Sequence, residues 1–135
     1  MIPRTKYECQ VQMSSKEYKN VLCDLQLIAQ SVRISCSTNN LKFSITSEEQ
    51  HGDVTYKHRD HIQANSNFVQ IKYQQQTDAN KISKHLAIRY LTSFTKATIL
   101  SEFVTLCMAT NMPFLTQYTF SSGYLRYYLA PKIED

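Results

Sequence analysis

Tyr7-Glu8-Cys9-Gln10-Val11-Gln12-Met13 runs straight into Ser14-Ser15-Lys16-Glu17, and behind these come Tyr18, Val21, Leu22, Leu25 and Ile28. In the first stretch every second residue is apolar, the pattern of a strand with one buried face. In the second the apolar residues fall three or four apart, the stripe of a helix from about Ser15 to Gln30. Ser14-Ser15-Lys16-Glu17 between them is a capping-box pattern: a serine hydroxyl accepts an amide hydrogen bond and the glutamate reaches back. Alternation returns in Val32, Ile34 and Cys36 and again in Leu41, Phe43 and Ile45. Asn39-Asn40 between these runs is a hairpin turn made without glycine, since asparagine tolerates positive φ. A polar stretch from Ser47 to Asn67 follows, with an edge strand expected at Val54, Thr55 and Tyr56.

The order then recurs. Val69, Ile71 and Tyr73 alternate; Gln74 to Asn80 is a polar loop; a helix is expected from about Ser83 to Thr95, with Leu86, Tyr90, Leu91 and Phe94 on its apolar side. Three strands close the chain: Glu102 to Ala109, Pro113 to Phe120, and Tyr124 to Leu129. Strand, helix and three strands thus occur twice, offset by roughly 62 residues. Such a repeat predicts one α+β domain over residues 1–135, its first unit at about 5–60 and its second at about 67–131. Its two helices lie side by side, backed by antiparallel sheet.

Composition limits the chemistry. The 135 residues are 42% hydrophobic and 19% charged, an ordinary globular balance. Only two glycines occur, Gly52 and Gly123. A dinucleotide fingerprint, a phosphate-binding P-loop and a nucleophile elbow each need two or three closely spaced glycines, so all three are excluded. Cys9, Cys23, Cys36 and Cys107 contain no C-x-x-C pair, and Cys9, Cys36 and Cys107 read as small buried hydrophobes in strands. Met1 to Lys6 lacks the apolar core of a signal peptide, and no apolar run approaches the ~20 residues of a membrane helix. The expectation is a soluble, intracellular, reduced protein without a membrane partner. His51, His58 and His61 cluster with Glu48, Glu49, Asp53 and Asp60, but without a fixed ligand spacing, so no metal or cofactor is expected. No local signature organises a catalytic triad, and the chain does not read as an enzyme.

Fifteen Lys and Arg stand against eleven Asp and Glu, giving +4. From Asn80 to Ser101 there are four cations, Lys81, Lys84, Arg89 and Lys96, and no acid. Arg89 and Lys96 are two helical turns apart and point the same way if the helix persists to Lys96. A basic helix face contacts phosphates without reading sequence; the plainer reading, a solvated surface, stands beside it. On the first helix Lys16 and Lys19 are balanced by Glu17 and Asp24. Tyr124, Tyr127 and Tyr128 precede a tail, Leu129 to Asp135, that Pro131 separates from the last strand. Its apolar residues beside tyrosines suit half of a peptide pocket.

Leu86-Ala87-Ile88-Arg89-Tyr90-Leu91-Thr92-Ser93-Phe94-Thr95-Lys96-Ala97-Thr98 and Tyr127-Tyr128-Leu129-Ala130-Pro131-Lys132-Ile133-Glu134-Asp135 closely resemble the eukaryotic sliding clamps, the proliferating cell nuclear antigens. The second stretch is close to a signature. The likeness continues from Ile2-Pro3 through Asp24-Leu25, Ile34-Ser35-Cys36 and Lys42-Phe43-Ser44, and covers only the C-terminal of the clamp's two domains. The resemblance implies the DNA-clamp fold of two βαβββ units and a nuclear, non-enzymatic protein. Such clamps serve DNA replication and repair: homotrimeric rings whose helices surround duplex DNA and give polymerases processivity. By position it implies DNA contact at Arg89 and Lys96, joined by Lys84, Lys81, Lys16 and Lys19 from the charge pattern. It implies a pocket for the short hydrophobic motif of DNA polymerase and other clamp-binding proteins at Pro113, Tyr128, Ala130, Pro131, Lys132 and Ile133. Val54, Thr55 and Tyr56 become the subunit-interface edge, and the N-terminal domain of a full-length clamp becomes a further partner.

Departures open an alternative. Asn20 and Cys23 stand where the family carries two arginines, and Thr38 stands where it carries a ubiquitin-accepting lysine. The family's N-terminal domain and nearly all of its connector are missing, so a fragment and a stand-alone truncated clamp both remain open. The second reading is a regulatory, partner-binding module that does not encircle DNA. In either case a mainly monomeric chain and weakened peptide binding are expected.

Overall fold

Ser14 does what the capping pattern requires: its hydroxyl accepts from the Glu17 amide at 3.3 Å and starts the first helix. The computed structural model describes residues 7–37, 40–46, 51–57, 69–73, 81–109 and 112–131, without the side chains of Tyr73 and Lys81. The described elements, in chain order, are β1 (Cys9–Ser14), α1 (Ser15–Gln26), β2 (Ser31–Ser37), β3 (Asn40–Thr46), β4 (His51–Lys57), β5 (Val69–Tyr73), β6 (Lys81–Ala87), α2 (Ile88–Phe94), β7 (Phe103–Met108), β8 (Phe114–Phe120) and β9 (Gly123–Leu129). A 3₁₀ segment, Thr95–Leu100, continues from α2.

The strands form two antiparallel sheets, ordered β5-β1-β7-β8-β9 and β4-β3-β2-β6. Each half of the chain therefore gives one strand to the other's sheet: β1 lies against β7, and β6 against β2. The helix starts repeat this exchange. The first amide of α1, at Ser15, donates to the carbonyl of Glu102 just before β7 (3.0 Å). The first amide of α2, at Ile88, donates to that of Gln30 just before β2 (3.0 Å). β1 and β2 open at Cys9 and Ser31, β6 and β7 at Lys81 and Phe103, so the repeat spacing is 72 residues at both pairs.

That spacing corrects the expected offset of 62. The strand entering α2 is β6, whereas Val69–Tyr73 is an added strand on the free side of β1. It also removes the expected helix start at Ser83. Ile82, Lys84 and Leu86 alternate inward along β6, and the polar Lys84 among them disguised the strand. On α2, Ile88 and Leu91 are buried, while Tyr90, expected on the apolar side, is exposed. In α1 the stripe of Tyr18, Val21, Leu22 and Leu25 is buried as expected; Ile28 lies past the helix end and is exposed.

The helices contact each other, and α1 also touches the 3₁₀ segment. A single core joins both helices to both sheets, with Val11, Met13, Tyr18, Leu22, Ile34, Phe43, Leu86, Leu91, Val104, Phe114 and Tyr118 all buried. Cys9 on β1 and Cys36 on β2 are disulfide-bonded across the two sheets, which corrects the expectation of free, reduced thiols there; Cys23 and Cys107 are free. No helix among the described residues is long and apolar enough to cross a membrane.

Candidate nucleic-acid interface and docking edges

With their apolar stripes in the core, α1 and α2 turn their remaining faces away from the sheets. Lys16, Lys19, Asn20 and Asp24 are exposed on α1, and Cys23 is half-buried there. Glu17, counted as a balancing charge, accepts a hydrogen bond from the Tyr56 hydroxyl at 2.8 Å. Arg89 is exposed on α2 and donates to the Tyr90 hydroxyl at 2.7 Å, its guanidinium 4.6 Å from that ring's centre. This contact holds the guanidinium on the exposed side. Lys96 is exposed in the 3₁₀ segment. At ~100° per α-residue and ~120° per 3₁₀-residue, the seven steps from Arg89 to Lys96 leave the two only about 20° apart around a common axis.

Lys84 and Lys81 do not belong to this face, because both lie on β6. Lys84 sits opposite Ile34 and is buried, with only 7% of its surface exposed. Burial holds its ammonium below the usual lysine pKa, and the Glu8 carboxylate partly offsets this.

The predicted peptide-pocket residues meet at one end of β8 and β9. Phe114 pairs with Leu129 and Leu115 with Tyr128, so the register sets Pro113 beside Ala130. Pro113, Tyr128 and Ala130 are exposed and Pro131 is half-buried; Lys132 and Ile133 lie outside the described residues. Beside them is a small apolar cluster that the sequence reading missed: Tyr7, Cys107, Ala109 and Leu115, with Met112 packed against it. The signal was present in Cys107-Met108 and Phe114-Leu115. Two successive apolar residues in a strand are buried on opposite faces. Burial raises the pKa of the Cys107 thiol to about 11.

β4 pairs with β3 and ends its sheet, so its outer backbone edge has no partner strand among the described residues. Val54 and Tyr56 are half-buried against the core and Thr55 is exposed. β9 likewise ends the other sheet, with no partner strand on its outer side among the described residues; the sequence reading did not single out this edge. Of the histidine and carboxylate cluster, His51 and Asp53 are on β4; Glu48, Glu49, His58, Asp60 and His61 lie outside the described residues, as does Thr38.

The family defined as "Proliferating cell nuclear antigen, C-terminal domain" matches residues 1–133. The chain belongs to this family. It is also similar to the proliferating cell nuclear antigen of Chaetomium thermophilum, with 33% identity over 135 residues, 99% of this chain. The match covers 50% of that relative, so the chain spans about half the length of the protein it resembles. Two adjacent helices on antiparallel sheet are the α+β arrangement expected of a proliferating cell nuclear antigen domain.

Proposed function

We propose that this chain works as a sliding-clamp domain, a processivity element that touches duplex DNA without reading sequence and docks replication and repair proteins in the nucleus. The observation that carries the reading is the shared outer face of two packed helices, where Lys16, Lys19, Arg89 and Lys96 are exposed. Cations at that density suit phosphate contact, which supplies affinity but no sequence preference. The role is that of a scaffold rather than a catalyst. Partner docking rests on the β8–β9 end, where Pro113, Tyr128, Ala130 and Pro131 come together.

The free edge of β4 suits pairing with a strand from another clamp domain. The 135-residue chain alone is expected to be mainly monomeric by size-exclusion chromatography with light scattering, and to bind a clamp-binding peptide more weakly than an intact clamp. A regulatory module that does not encircle DNA is the second reading, favoured by α1, where exposed Asp24 offsets a lysine and Asn20 and Cys23 carry no charge.

Duplex affinity measured against salt tests the proposal. Replacing Arg89 and Lys96 together by alanine should weaken binding equally for unrelated sequences and flatten the slope of log affinity against log salt by about 2. An unchanged slope would remove these side chains from the interface.

A further inference from the structure

The sheet β4-β3-β2-β6 has a second face, turned away from the helices, that the clamp reading does not use. Ser31, Arg33, Ser35, Lys42, Ser44, Thr46, His51 and His85 surround a cleft of about 370 Å³ there. The register explains why they converge. Arg33 lies between His85 on β6 and Ser44 on β3, while Ser35 lies between Ser83 and Lys42. Arg33 and Lys42 are therefore diagonal neighbours on adjacent strands, roughly 7–8 Å apart and within reach of one ligand. Every lining side chain carries a polar hydrogen-bonding group, and none is a carboxylate. Asp53 on β4 borders the cleft, its Oδ2 3.7 Å from Lys42 Nζ, with both side chains over 40% exposed. An exposed pair of this kind is weak and easily exchanged. The Thr46 hydroxyl and His51 Nδ1 are 3.1 Å apart, and the Ser35 and Ser83 hydroxyls 2.7 Å apart, so these groups are already oriented by one another.

The matching face of the other sheet shows that the fold does not dictate this chemistry. There the cleft is lined by Gln10, Gln12, Gln70, Lys72, Thr105 and Gln117, mostly neutral amides, and encloses about 200 Å³. We infer that the outer face of β4-β3-β2-β6 is a binding site for a phosphate monoester, gripped by Arg33 and Lys42 with the surrounding hydroxyls. Such a group carries close to two negative charges and three strong acceptor oxygens, which suits the two cations and four hydroxyls that β2 and β3 supply to the cleft. The inference does not depend on the sliding-clamp proposal, because this face lies on the opposite side of the sheet from the helices.

The test is an amide-shift titration of the full chain with inorganic phosphate, a phosphoserine peptide and the same peptide unphosphorylated. Saturable shifts centred on β2, β3 and β6 are expected with both phosphate probes and not with the plain peptide. A tighter phosphopeptide identifies a phosphorylated protein segment as the ligand; equal affinities identify the free anion. Lys42→Gln should weaken binding about 3-fold and Arg33→Gln more, while Asp53→Asn, which removes the competing carboxylate, should tighten it about 2-fold. Lys42 and Asp53 are both partly exposed, so these two variants serve even if Arg33→Gln fails to fold. Shifts spread over all basic residues, no change in Lys42→Gln, or an equal response of this face to duplex DNA would overturn the assignment.

Discussion

In the first half of the molecule, Tyr56 on β4 reaches α1 and donates a 2.8 Å hydrogen bond to Glu17. In the second, Tyr127 on β9 reaches α2 and stacks on Phe94, ring centres 4.3 Å apart and planes 11° apart. Both outer strands are tied to the helix of their own half, one by a charge-assisted hydrogen bond and the other by an aromatic stack. The helices differ as well: α1 has twelve residues and a serine cap, whereas α2 has seven and no side-chain cap. What stays constant is the backbone exchange of β1 and β6 and of the two first amides. Main-chain pairing fixes the framework, and the side chains on it are free to diverge. That freedom lets one helix pair present cations, one sheet face glutamines and the other sheet face Arg33, Lys42 and histidines.

Removing each tie should separate the two chemistries. Phe94→Ala deletes aromatic area that the short, uncapped α2 cannot replace, and should cost about 3 kcal/mol in denaturant unfolding. Reducing the Cys9–Cys36 link between the sheets, which closes a loop of 27 residues' separation, should cost a similar amount, about 3 kcal/mol. Tyr56→Phe keeps the ring against Phe43 and loses only the bond to Glu17, so about 1–2 kcal/mol is expected. Equal losses for Tyr56→Phe and Phe94→Ala would mean that the two ties are not chemically distinct.

Alkaline pH gives a smaller and more selective effect. Burial raises Tyr118 to about 12, from an ordinary 10. Tyr18 is raised by burial, and Tyr56 by burial and then by its bond to Glu17. For groups whose folded pKa is raised, the stabilisation is complete below the unfolded pKa and is lost as pH rises past it. Melting temperatures should therefore fall progressively above pH 10. At pH 11 Tyr118 alone accounts for about 1 kcal/mol of that loss. Tyr118→Phe should thus lose less stability between pH 9 and pH 11 than the parent chain; an identical loss would place the ionising group elsewhere.

The sequence was most legible where local chemistry and tertiary burial agree. Ser14 and Glu17 mark the start of α1, and the stripe behind them is buried. β2 and β3 follow alternations that the core uses, and β7, β8 and β9 fall within a residue or so of the expected ranges, although β8 is buried on both faces. Legibility failed at β6 for a physical reason: an inward Lys84 interrupts its apolar alternation, and Ala87, which precedes α2, cannot cap a helix. Val69–Tyr73 was then the better-looking strand, and only the long-range pairing on β1 corrects its place. The same error carried Lys81 and Lys84 into the basic face. Arg89 and Lys96 were legible because no acid lies near them in the chain. Of the cluster around Tyr7 and Leu115, Cys107, Ala109, Met112 and Leu115 are near one another in the chain, and only the pairing of β1 with β7 brings Tyr7 to them.

The central claim, that the helix face and not another basic surface meets DNA, is tested most directly by titrating the isotope-labelled chain with a duplex oligonucleotide. Amide shifts are expected on α1 around Lys16 and Lys19, and on α2 and the following turn around Arg89 and Lys96, with Lys84 silent. Shifts confined to β6, or centred on Arg33 and Lys42 across the outer sheet face, would contradict it.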